Sequence, residues 1–254
     1  RMEDFSLLYA LVLVALGLIA GIINTLAGGG SNLTLPALMM MGMPPEVANA
    51  TNRVGVFLQC VVGVRDFKKH DKLSSHDLGP ILAPTIVGGL FGAVLASYMP
   101  SVYLKPIMLG AMVLMATLIL VRPSTVMPEE GVLPKKVAKT PIAILSLFAA
   151  GFYGGFVQAG VGFMLIAAFA GSLHYDLVRT NALKMLCTAV FTAVALVIFI
   201  ARDQINWVPG LVLAVGTMAG AKIGVRLALK LSQNILKWFL FVMTLAASAA
   251  AMLF

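Results

Sequence analysis

The sequence predicts an all-α fold: a polytopic helical membrane protein built from two inverted repeats of about five membrane segments each. Three observations predict it. Of 254 residues, 60% are hydrophobic and only 11% charged, whereas soluble domains carry about 25% charged residues; the mean hydropathy is +0.99. The apolar excess runs the whole length, which excludes a soluble enzyme held by a single anchor. The two halves also share motifs at a nearly constant offset.

The segments follow in order. Phe5–Ala27 is long enough to span at about 1.5 Å per residue. Its flank, Arg1-Met2-Glu3-Asp4, has no net positive charge, so it reads as a retained span rather than a signal peptide. A Gly-rich break at Gly28–Asn32 leads to a short piece, Leu33–Gly42. Val47–Val64 ends in the basic loop Arg65–Asp77, and Leu78–Met99 and Tyr103–Val121 are joined by a tight turn at Pro100-Ser101. Pro123, Pro128 and Pro134 keep Arg122–Thr140 out of a helix, so residues 122–140 read as a cytoplasmic linker between repeats at 1–121 and 141–254. The second half gives Pro141–Val157, a break at Gln158–Gly162, the short Phe163–Leu173, then Leu177–Ile200, Trp207–Lys230 and Ile235–Phe254. Eight segments are long; the two beside the breaks, about 10 or 11 residues each, are too short to span and read as re-entrant pieces or halves of broken helices.

The halves correspond in detail. Gly30 falls on Gly160 and Leu35 on Leu165, 130 residues apart; Thr51-Asn52 falls on Thr180-Asn181, 129 apart; Gly88, Gly92 and Ala96 fall on Gly216, Gly220 and Gly224, 128 apart. Small residues four apart let membrane helices approach closely, within one chain or across a homodimer. Orientation follows from the cations. Arg65, Lys68, Lys69 and Lys72, then Arg122, Lys135, Lys136 and Lys139, then Arg226, Lys230 and Lys237 all ask for the cytoplasmic side. The net charge of +8 is thereby explained without nucleic acid, for which no basic run interleaved with aromatics exists. An odd number of segments per half makes the repeats inverted, a common transporter plan.

The paired breaks carry the functional signal. An unwound stretch such as Leu26–Pro36 cannot face lipid and has to be buried in protein or line a wet cavity. Amides freed at a half-helix N-terminus suit an anion. Gly28, Gly29, Gly30 and Asn32 occupy the first break, Gln158 and Gly160 the second. Asn49, Thr51, Asn52, Arg53 and Gln59 lie in the third segment, and Arg179, Thr180, Asn181 and Lys184 in its counterpart. A cation inside a membrane segment marks a functional site unless it snorkels to the interface. Arg53 and Lys184, about two turns into their helices, are therefore candidate anion ligands, with Asn52, Asn181 and Gln158 as hydrogen-bonding partners. Glu46 and Asp176 read as N-caps, His174 as a weak proton-coupling candidate, and Cys60 and Cys187 as packed thiols. Trp207 and Tyr103 fit interfacial anchors. No Ser-His-Asp set, zinc-ligand spacing or phosphate-binding GxxxxGK occurs, so the expectation is a non-enzyme without metal or cofactor.

Gly28-Gly29-Gly30 with Pro36, then Gly42, Pro44, Pro45, Ala48, Ala50, Thr51 and Asn52, resembles the sulfite exporter TauE/SafE family of membrane permeases. The second copy, Gly151–Phe163 followed by Arg179–Lys184, repeats the pattern without a full Gly-Gly-Gly or the following Pro. The resemblance covers nearly the whole chain. It implies a multi-pass protein of a bacterial-type inner membrane that moves sulfite, sulfoacetate or related organosulfonates. With it, the expected function is a secondary transporter of small sulfur-containing anions, an exporter working by alternating access between the repeats. An anion channel and a non-transport membrane assembly factor are the alternatives.

Overall fold

The computed structural model describes residues 6–121 and 133–232, with 234, 235, 238, 239 and 242 beyond them. Residues 1–5, linker residues 122–132 and most of the expected final span 235–254 lie outside the described residues.

All regular structure among the described residues is helical. Helix α1 (Leu7–Leu26) starts at Ser6, whose Oγ accepts from the Tyr9 N–H at 3.3 Å. It stops before Gly28, whose φ of +110° is open to glycine and costly for other residues. Helix α2 (Ser31–Met40) then doubles back. Gly30 lies against Ala20 and Asn24 of α1, and Leu38 shares a core cluster with Leu13 and Ala48. The first short piece is therefore the returning arm of a re-entrant hairpin rather than a crossing.

Helix α3 (Pro45–Lys69) opens with proline at its first position. It runs past the expected end at Val64, so Arg65, Lys68 and Lys69 ride its last turns, where the helix dipole favours cations. Pro44 is its N-cap; Glu46, expected to cap, instead accepts from Ser101 Oγ at 2.6 Å, tying α3 to the start of α5 (Ser101–Val121). Helix α4 (Leu78–Tyr98) lies between them. A 3₁₀ turn, Val137–Lys139, precedes α6 (Pro141–Phe156).

Helix α7 (Val161–Ile166) widens into a π-helical turn, Ala167–Ser172, and returns along α6: Leu165 and Phe169 pack with Ala143 and Leu147. The Leu173 carbonyl accepts from the Lys135 N–H at 2.9 Å, so this second hairpin closes at the end where α6 begins. Helix α8 (Leu177–Ala201) is capped by Asp176, which accepts from the Arg179 N–H at 3.0 Å as expected, and α9 (Trp207–Lys230) follows a short loop.

Glycine contacts set the packing. In parallel helices α1 and α9, a Cβ on Gly17 would sit 2.7 Å from the Leu213 carbonyl, and one on Gly220 3.0 Å from Gly21 Cα. In parallel helices α4 and α6, a Cβ on Gly88 would sit 2.7 Å from the Phe152 nitrogen, and one on Gly155 2.9 Å from Gly89 Cα. Backbones in such contact have exchanged side-chain bulk for close van der Waals approach, the packing that works where lipid removes the hydrophobic drive. Helix α3 also runs parallel to α9, with Thr51 beside Gly210 and Gly55 beside Leu213. The basic ends of α3 and α9 thus share one end of the bundle.

The outer faces are apolar. Leu7, Leu11, Phe91, Val197 and Val215 are each more than half exposed, a surface suited to hydrocarbon. Helices α1, α4, α8 and α9 are long and apolar enough to cross a membrane. The chain is a multi-pass membrane protein, all-helical among the described residues.

Candidate functional site

The two hairpins enter the bundle from opposite ends and their tips touch. Gly28 and Gly162 pack Cα to Cα, so a Cβ on Gly28 would lie 2.5 Å from Gly162 Cα. Around this crossing the turns are built locally. Gln158 (φ +70°) and Gly160 (φ +77°) adopt left-handed backbone, and the Val157 and Gln158 N–H groups both return to the Tyr153 carbonyl. Tyr153 Oη donates to the Ala159 carbonyl at 2.5 Å. In the first tip the Gly30 N–H donates to Asn24 Oδ1 at 2.7 Å, and the Asn32 and Leu33 N–H groups turn back onto the Gly29 and Gly30 carbonyls. That Asn24 bond was not anticipated from sequence, although an amide one turn before the glycines is a readable signal.

Beside the crossing lies a small cavity of about 20 Å³. That is room for about one water before anything moves. Its walls come from both hairpins and from α3 and α8, and eight of its residues form counterpart pairs: Gly28 with Gln158 and Ser31 with Val161, 130 residues apart, and Val56 with Met185 and Gln59 with Thr188, 129 apart. Lys184 breaks the correspondence, because Gly55 stands where its counterpart would be.

Of the ten residues predicted from sequence, Gly28, Gln158 and Lys184 line this cavity. Lys184 is 2% exposed; its Nζ donates to Asn181 Oδ1 at 2.8 Å and to the Thr25 carbonyl at 3.1 Å. Asn181 Nδ2 reaches the Leu26 carbonyl at 3.4 Å, so α8 caps the end of α1 with an amide and a cation. Asn52 works one layer out: it accepts from Thr34 Oγ1 at 2.6 Å and donates to Ser31 Oγ at 3.2 Å, fixing α2 on α3. Gly29, Gly30, Asn32 and Gly160 shape the tips, and Asn32 Oδ1 is buried without a hydrogen bond among the described residues.

Arg53 lies elsewhere. It is fully buried, donates to the Gly154 carbonyl and, at 2.9 Å, to the Gly155 carbonyl, touches Asn49 Oδ1 at 3.3 Å, and stands 5.6 Å from the Phe199 ring centre. Asn49 Nδ2 donates to the Phe156 carbonyl at 2.8 Å. Helix α3 thus caps the end of α6, as α8 caps the end of α1. Each half holds the broken helix of the other by its carbonyl end, where cations are favoured.

Gln59, Cys60 and Thr188 complete the cavity wall, and none was singled out as a site residue by spacing. Gln59 Oε1 and Gln158 Oε1 are buried and take no hydrogen bond among the described residues; a buried acceptor left unmet costs about 1–3 kcal/mol. Of the other sequence candidates, His174 is 8% exposed with φ +60° and lies in the loop before α8. Cys187 is buried and free. Arg179 sits at the end of the bundle where α3 and α9 finish, 3.6 Å from Asp176 and half exposed.

Comparison with known proteins finds relatives over nearly the whole chain. A model of the family described as sulfite exporter TauE/SafE matches residues 13–251. The probable membrane transporter protein YfcA of Escherichia coli (strain K12) is 29% identical over 254 residues, covering 98% of this chain and 93% of its own. The probable membrane transporter protein YdhB of Bacillus subtilis (strain 168) is 26% identical, covering 98% of this chain and 100% of its own. The probable membrane transporter protein ORF9 of a Sinorhizobium species is 24% identical over 96% and 93%.

Proposed function

The chain belongs to the sulfite exporter TauE/SafE family of membrane transporters, and from that premise we propose that it exports small sulfur-containing anions such as sulfite or organosulfonates. Transport proceeds by alternating access around the cavity at the hairpin crossing, in a bacterial-type inner membrane. One observation carries the reading. Lys184, an ammonium bonded among the described residues only to neutral oxygens, lies on the wall of a cavity formed where two broken helices from the two halves meet. An uncompensated cation there favours an anion, because the low-dielectric surroundings strengthen the attraction.

The repeat organisation is part of the same proposal: a first unit at 1–121, a cytoplasmic linker at 122–140 and a second unit at 141–254. Its support is the reciprocal packing of α1 on α9 and α4 on α6, with α3 and α8 facing each other across the cavity. Hairpins entering from opposite ends give each half a closed and an open side, the geometry alternating access uses. Gly28, Gly29, Gly30 and Gly160 let the tips turn and approach; Asn32, Asn52, Asn181 and Gln158 provide or hold polar contacts at the pocket. Arg53, expected to attract the anion, acts here as a positioning residue for the second hairpin, since its Nη1 and Nη2 donate to the Gly154 and Gly155 carbonyls of α6.

The test is sulfite efflux from proteoliposomes. The reading expects saturable flux that Lys184→Met abolishes while the variant stays folded by its thermal transition. Flux that rises without saturation would favour a channel; unchanged flux in Lys184→Met would remove the cavity from the mechanism.

A further inference from the structure

Two features of the cavity go beyond a generic anion site. The first is charge. Among the described residues Lys184 is the single charged group on its wall, so a monoanion leaves the site neutral, whereas a dianion leaves a net negative charge in a membrane interior where isolated charge is costly. The second is the pair of amide oxygens. Gln59 Oε1 from α3 and Gln158 Oε1 from the second tip are both buried, both on residues lining the cavity, and both without a hydrogen bond among the described residues. Gln158 is oriented by its Nε2, 3.5 Å from Thr192 Oγ1. Carbonyl oxygens repel an oxyanion and accept from hydroxyl or ammonium hydrogens.

Resting on the anion-transport reading above, we propose that Gln59 and Gln158 form an acceptor pair that makes the site selective for monoanions carrying their own hydrogen-bond donor. The class comprises singly protonated oxyanions and hydroxy-substituted sulfonates, with the negative head on Lys184 and the donor on the amide pair. A fully deprotonated dianion and a plain alkylsulfonate leave the amides unmet, and a site whose buried polar groups stay unpaired discriminates against such a ligand. Gln59 is thereby a specificity-determining residue.

The experiment compares 2-hydroxyethanesulfonate with ethanesulfonate, which differ by one hydroxyl and carry the same charge. Binding to purified full-length protein is read by calorimetry. The expected result is a preference of about tenfold for the hydroxylated probe. Gln59→Met, which keeps the side-chain length, should bring the two affinities within about twofold of each other. Equal affinities in the unsubstituted protein, or a preference that survives Gln59→Met, overturn the acceptor pair and leave the anion site standing. Tighter binding of sulfate than of either probe also overturns it, since amides turned with their N–H groups inward would favour the dianion. Binding of neither probe, without competition by sulfite, overturns the anion site itself and the inference with it.

Discussion

Placing one methyl group at the hairpin crossing separates the function of the tips from their general stability. Gly162 carries ordinary backbone angles, so Gly162→Ala adds no conformational strain. Its Cβ would meet Gly28 Cα, with the Gly28 carbonyl oxygen at 2.9 Å and carbonyl carbon at 3.1 Å. All three atoms are backbone, so relief requires the tips to part by about 1 Å, and overpacking of this kind costs about 1–3 kcal/mol. Gly28→Ala adds the same clash to a φ of +110°, a further strain of about 1–3 kcal/mol. Two controls divide the effects. Gly42 has φ +89° and nothing within 4 Å, so Gly42→Ala carries strain without a clash. Gly110 lies in α5 with nothing within 4 Å, so Gly110→Ala should stabilise by about 0.5–1 kcal/mol. Thermal unfolding in detergent and sulfite flux in proteoliposomes are measured on all four. The expected order of stability is Gly110→Ala, Gly42→Ala, Gly162→Ala, Gly28→Ala from highest to lowest, with flux lost only in the last two. Flux at the unsubstituted level in Gly162→Ala would refute the claim that contact between the tips shapes the transport site.

Three further outcomes follow from the contacts. Arg53→Lys keeps the charge but cannot fork across the Gly154 and Gly155 carbonyls; a drop in stability of about 2–3 kcal/mol by thermal unfolding, with the KM for sulfite unchanged, is expected. Lys184→Met removes a buried cation together with its bonds to Thr25 and Asn181, and the opposing terms leave stability within about 1–2 kcal/mol while binding by calorimetry is lost. Asp77→Ala breaks the 2.7 Å bond from the Val137 N–H, which straps the linker's end to the loop before α4. Limited proteolysis should then cut within 133–140 at least several-fold faster.

Much of this architecture is legible in the sequence because membrane helices are written in long apolar runs with glycine and proline at their ends. The limits of α4, α8 and α9 fall within two residues of expectation for that reason. The end of α3 does not, since Arg65–Lys69 reads as loop by polarity yet continues the helix, its cations being favoured at the carbonyl end. The tips were visible as Gly28–Gly30 and Gln158–Gly162, but their direction was not: whether a ten-residue piece crosses or returns depends on packing between Leu38 and Leu13, which no local pattern encodes. Arg53 and Lys184 look alike in sequence, two buried cations two turns into matching helices. They diverge because α3 presents Arg53 to the α6 carbonyls while α8 presents Lys184 to the cavity. Gln59 and Thr188 are ordinary polar residues until α3 and α8 face each other across it.

Cys60 offers the most direct test, since it lines the cavity while the other cysteine is removed by Cys187→Ser. In proteoliposomes of known orientation, an impermeant maleimide is applied from one face or the other, with and without 2-hydroxyethanesulfonate, which does not consume the reagent. Alternating access predicts that Cys60 is labelled from each face, and that the anion changes the two rates in opposite directions or protects from both. Labelling from one face only, indifferent to the anion, would contradict a transport site at the hairpin crossing.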